Sequence, residues 1–155
     1  MSSVRVLVVE DFVGFRRVIS SILGKRRDLQ IIGEASDGLE AVQKAEELQP
    51  DLILLDIGLP TLNGIEAARQ IRRLAPKSKI LFLSQESSAD VVEEALSFGA
   101  LGYVVKAHAG SDLLAAIDAV SSAKQFVSTL PNYGAPSLPN FAPATEYDAF
   151  DLSTD

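Results

Sequence analysis

Apolar residues along this chain switch between strand-like runs and helical spacing five times. Val4–Val9 is a strand-length apolar run. From about Val13 to Arg26 the spacing turns helical and predicts burial of Phe15, Val18, Ile19, Ile22 and Leu23. Lys25-Arg26-Arg27 would place cations at the negative C-terminal pole of that helix. Gln30–Glu34 is a second short strand. Asp37-Gly-Leu-Glu40 has the form of a capping box and opens a helix to about Leu48, which Pro50 ends. Asp51–Leu55 is apolar almost throughout, as a central parallel strand covered on both faces should be. Helices follow near Gly64–Leu74, Ala89–Phe98 and Ser111–Ser121, with strands near Lys79–Leu83 and Gly102–Val105.

Strands and helices alternating at this spacing require βαβ units with right-handed crossovers. The expected fold is α/β: a doubly wound, five-stranded parallel sheet of order 2-1-3-4-5, a flavodoxin-like (βα)5 arrangement. That order sets the ends of the first and third strands side by side at the topological switch point. The alternation lapses at Ala123. Residues 1–124 are therefore read as one domain and 125–155 as a Pro-rich acidic extension. Within the extension, Gln125–Leu130 fits a short extra strand or a simple continuation. Residues 131–155 hold Pro131, Pro136, Pro139 and Pro143, four of the seven prolines, which favours an extended tail. Tyr133, Phe141, Tyr147 and Phe150 support the competing reading, contact with the domain or a partner.

Composition narrows the functional classes. An apolar fraction of 47% supports a proper core, and the absence of cysteine excludes disulfides and thiolate metal sites. The longest apolar runs are strand-sized, short of the ~20 residues a membrane helix needs. The N-terminus lacks a signal-peptide layout, so a cytoplasmic protein is expected. The net charge of −7 argues against non-specific nucleic-acid binding. Residues 131–155 carry no Lys or Arg, which excludes a helix-turn-helix reader there; no DNA-binding domain is expected.

The strand ends carry the candidate chemistry. The first strand runs into Glu10-Asp11, the third into Asp56, the fourth into Ser84 and the fifth into Lys106. Carboxyl ends of parallel strands share one edge, where ligands bind. Three carboxylates crowded there repel one another, a conflict that a hard divalent cation with oxygen ligands resolves. Mg²⁺ fits, and Mn²⁺ should substitute. Asp56 can attack phosphorus to form an acyl phosphate, while Lys106 and the Ser84 hydroxyl offer partners for phosphoryl oxygens. Pro60 fixes the turn after Asp56, and Asn63 can cap the next helix. The lone histidine, His108, is read as an exposed, non-catalytic loop residue, and Arg69, Arg72 and Arg73 as a solvated helix face.

With these residues in place, the chain from about Val4 to Ala123 resembles a response-regulator receiver domain. The Leu-Pro and Asn-Gly steps after Asp56, and Gly102-Tyr103 before Lys106, also fit. The resemblance implies Mg²⁺-dependent transfer of a phosphoryl group to Asp56 from a sensor histidine kinase or phosphotransfer protein. It implies a metal held by Glu10, Asp11, Asp56 and the Gly58 carbonyl, and slow self-dephosphorylation. It further implies a switch in which Ser84 moves toward the phosphoryl group and Tyr103 turns inward, changing contacts with a downstream protein or a second copy in a homodimer. No membrane or direct nucleic-acid partner is expected. Gln85 stands where the family commonly has a small residue. Gly58 offers no side chain to orient water, a role open to Glu86. The competing functions are a non-phosphorylated receiver-fold scaffold and the receiver part of a transcription regulator lacking its DNA-binding domain.

Overall fold

The computed structural model describes residues 3–85 and 88–128. Strands β1 (Val4–Val9), β2 (Leu29–Ala35), β3 (Leu52–Asp56), β4 (Lys79–Ser84), β5 (Gly102–Val105) and β6 (Phe126–Val127) form one parallel sheet of order β2-β1-β3-β4-β5-β6. The expected order stands, and the segment after Ala123 adds the sixth, two-residue strand beside β5. Residues 129–155, including the aromatic positions of the tail, lie outside the described residues.

Strand alternation divides the core into two layers. Leu7, Val9, Ile53, Leu55, Phe82, Tyr103 and Val105 point to the face covered by α2 (Gly38–Leu48), α3 (Gly64–Leu74) and α4 (Ala89–Ser97). Val6, Val8, Leu52, Leu54, Leu81, Leu83 and Val104 point to the face covered by α1 (Val13–Leu23) and α5 (Ala109–Ser121). Every residue of β3 is buried, as its unbroken apolar run requires. Each such aliphatic side chain contributes about 1.5–3 kcal/mol relative to an exposed one.

Helix starts follow the capping chemistry. Asp37 Oδ1 accepts from the Glu40 amide at 2.8 Å, and Asn63 Oδ1 from the Glu66 amide at 3.0 Å. Glu40 accepts from the Ser36 amide at 2.9 Å, one residue further out than a regular capping box.

Helix α1 differs from expectation at its C-terminal end and on one flank. It closes at Leu23, so Lys25-Arg26-Arg27 lie beyond its last turn. Arg26 instead binds Asp28 at 2.9 Å and Asp118 of α5 at 2.8 Å, a stronger electrostatic partnership than a helix pole. Val18 is 43% exposed, because Ile19, Ile22 and Leu23 make the buried contact and leave Val18 on the flank. Phe15 is half-buried at the rim.

Candidate functional site

The parallel register brings the strand ends together. Val9 pairs with Leu55, so Glu10 and Asp56 follow on adjacent strands, and Ser84 pairs with Val105 one strand further over. Carboxylate oxygens of Glu10, Asp11 and Asp56 lie within 4.8 Å of one another. Glu10 is fully buried, Asp56 nearly so, and Asp11 exposed, leaving one side of the cluster open to solvent.

Lys106 closes the other side. Its Nζ lies 2.8 Å from Glu10 Oε1 and 3.2 Å from Asp56 Oδ2. The residue begins a short 3₁₀ turn (Lys106–His108) that joins β5 to α5, one step beyond the expected strand end. The Phe15 ring lies 5.0 Å from Nζ, covering the ammonium with an aromatic face. Sequence reasoning placed Phe15 in the core and missed this contact, for which spacing alone holds no signal.

Glu10 is fixed from several directions. Its Oε2 accepts from the Phe12 amide at 3.1 Å, and Arg16 Nη1 donates to its carbonyl at 3.3 Å. Burial pushes its carboxyl above the ordinary value, and the Asp56 charge adds to that rise while Lys106 and the Phe12 amide oppose it. Burial, the largest single influence on Lys106, lowers its affinity for a proton. The combined attraction of Glu10 and Asp56 outweighs it, and the ammonium form is favoured.

The loop after Asp56 is tightly bound to the strand. The Gly58 amide donates to Asp56 Oδ1 at 3.1 Å, the Ile57 amide to Leu83 O at 3.1 Å, and the Gly64 amide to Ile57 O at 2.8 Å. Gly64 is needed here, because a Cβ would collide with the backbone carbonyl of Asp56. Ser84 is buried at the end of β4. Tyr103 is fully buried on the α4 side of the sheet and belongs to the Phe82–Val92–Ala95 core. Gln85 is exposed, and Glu86 lies outside the described residues. His108 is half-buried where the 3₁₀ turn meets α5, which corrects its expected exposure. Arg69 and Arg72 are exposed as expected, yet both engage the end of α4.

The donor set suits a hard cation. It is all oxygen, and three carboxylates against one ammonium leave two formal negative charges. Buried Glu10 Oε1 has no partner other than Lys106 among the described residues.

Known proteins carry the same arrangement of strands and helices. Residues 6–118 match the response regulator receiver domain. The chain belongs to that family. It is 37% identical over 117 residues to the chemotaxis protein CheY of Thermotoga maritima, covering 76% of this chain and 97% of CheY. It is 44% identical over 111 residues to that organism's protein-glutamate methylesterase/protein-glutamine glutaminase, covering 71% of this chain but 32% of the relative. The crystal structure of the response regulator domain of Thermotoga maritima CheB superposes with a TM-score of 0.72 at 36% identity, over 77% of this chain and 97% of that one. The receiver domain of this chain is thus that of a two-component response regulator. Among its described residues, no helix is long and apolar enough to cross a membrane.

Proposed function

We propose that this receiver domain takes a phosphoryl group onto Asp56 from the phosphohistidine of a sensor kinase or phosphotransfer protein. The observation that carries this reading is the Lys106 ammonium lying between Glu10 and Asp56, at a carboxylate cluster open to solvent through Asp11. An Asp56 oxygen attacks phosphorus, the P–O bond forms as the P–N bond to histidine breaks, and the imidazole nitrogen leaves with the electron pair. Lys106 binds a phosphoryl oxygen as charge builds on it, and the Ser84 hydroxyl donates to another. Glu10, Asp11, Asp56 and the Gly58 carbonyl would hold Mg²⁺, or Mn²⁺ in its place, which when bound neutralises charge on the transferred group.

The output is a change in protein contacts, with a downstream protein or a second copy as partner, in the cytoplasm. Tyr103, already packed inward against Phe82, suits a switch that relies on the α4 side of the sheet. Residues 1–124 are the receiver domain and 125–155 a C-terminal extension, of which residues 131–155 serve partner choice or self-contact and are dispensable for phosphorylation. Intact mass after incubation with Mg²⁺ and acetyl phosphate tests the assignment. Wild type should gain ~80 Da, one phosphoryl group, and Asp56→Asn should gain nothing. Equal labelling of the variant would place the acceptor elsewhere.

A further inference from the structure

A buried polar residue directly follows the sixth strand and completes the edge of the sheet there. Ser128 follows Phe126–Val127 directly and is 1% exposed. Its amide donates to Tyr103 O at 2.9 Å, and its Oγ accepts from the Val105 amide at 3.0 Å. The hydroxyl thus takes the rung of the β5 ladder where a continuing strand would present a backbone carbonyl. Val105 is buried, so its amide would otherwise face the interior of the protein without a partner.

The next residue is Lys106, whose Nζ reaches Glu10 and Asp56. On the other edge of β5, Val105 is paired with Ser84. The backbone from which the pocket's ammonium projects is therefore held on one side by the strand carrying Ser84 and on the other by a hydroxyl from the C-terminal extension.

We propose that Ser128 is a positioning residue for phosphoryl transfer, fixing Lys106 through the Val105 amide. The C-terminal extension thereby acts on the pocket: docking or release of Phe126–Ser128 tightens or loosens the hold of Lys106 on Asp56. A two-residue strand has too little ladder to set register alone, and the two Ser128 bonds supply what it lacks. The inference rests on the phosphoryl-transfer reading above.

The test is the rate of acetyl phosphate labelling of the full chain, followed by intact mass. Ser128→Ala should label roughly tenfold more slowly, the scale expected when a group that orients a site's own ligands is lost. Ser128→Thr, which keeps the acceptor, should restore the rate. In a Lys106→Met background, Ser128→Ala should produce no further loss, since the residue it positions is gone. Wild-type labelling in Ser128→Ala, or an undiminished effect of that change without Lys106, overturns the proposal. Should Ser128→Ala fail to fold, Ser128→Cys replaces it: the weaker acceptor should give an intermediate rate, and an unchanged rate overturns the proposal equally. A wild type that takes no label at all brings down the phosphoryl-transfer reading, and this one with it.

Discussion

Arg72 reaches from α3 to the end of α4, where its Nη1 donates to the carbonyl of Phe98 at 2.6 Å. The next residue, Gly99, adopts φ +90°, and a Cβ there would run into the same guanidinium. Arg69 adds a second contact, lying 4.6 Å over the Phe98 ring. The two arginines brace α3 against the turn that closes α4.

Gly99→Ala should therefore destabilise the protein by about 1–3 kcal/mol, from the left-handed backbone and the collision together. Combining it with Arg72→Ala removes the collision but keeps the backbone strain. The double variant should lose less than the sum of the single losses in urea unfolding. Strict additivity would show that Arg72 and Gly99 do not share this space.

Lys106→Met should destabilise the metal-free protein by about 3–5 kcal/mol, because Glu10 and Asp56 lose their shared counter-charge while remaining buried. Denaturant midpoints at neutral pH measure this. A variant as stable as wild type would mean that the ion pairs add nothing net to the fold.

Mg²⁺ should stabilise wild type by about 2.7 kcal/mol at a concentration a hundredfold above its dissociation constant. Asp11→Ala should lose most of that gain. Asp11 is exposed, so its removal leaves the core intact. Thermal melts with and without the ion report the difference, and an equal rise in both proteins would place the cation outside the cluster.

On the acid side, Glu40 should shape the pH profile. The Ser36 amide, and after it the Lys44 ammonium at 3.2 Å, hold its carboxyl below the ordinary 4.5. A depressed pKa means the folded state binds fewer protons than the unfolded chain. Its stabilisation is present above pH 4.5 and is lost as pH falls through the lower folded value. Glu40→Gln should flatten that part of the stability curve and cost about 0.5 kcal/mol at neutral pH, the scale of an exposed pair. Melting temperatures across the acid range check the slope, which should stay unchanged if Glu40 is not involved.

The strand ends were legible because uninterrupted apolar runs stop at charged residues, and a parallel sheet aligns such stops on one edge. Glu10, Asp11, Asp56 and Lys106 could be grouped on that ground alone. The start of α3 was equally plain, since Asn63 caps it. Ser128 was not legible as a contact of Val105: a two-residue strand has no period, and a buried serine beyond it looks like any linker residue. Nor did helical spacing reveal that Arg26 turns toward Asp118, 92 residues away, since that pairing depends on how α1 and α5 meet. Val18 failed for a related reason. Its hydrophobicity marks a helix flank, but the width of the face that α5 covers is set by tertiary packing.

Gly64 leaves α3 no gap above the carbonyl of Asp56, and the Ile57–Gly64 hydrogen bond closes the intervening loop on itself. The Asp56 carboxylate, the acceptor proposed above, is accordingly held on a loop that backbone hydrogen bonds close. A fixed target of this kind transfers the burden of alignment to whatever approaches it. On the proposed function, discrimination between donors would depend on how well their own reactive group can be aimed at Asp56.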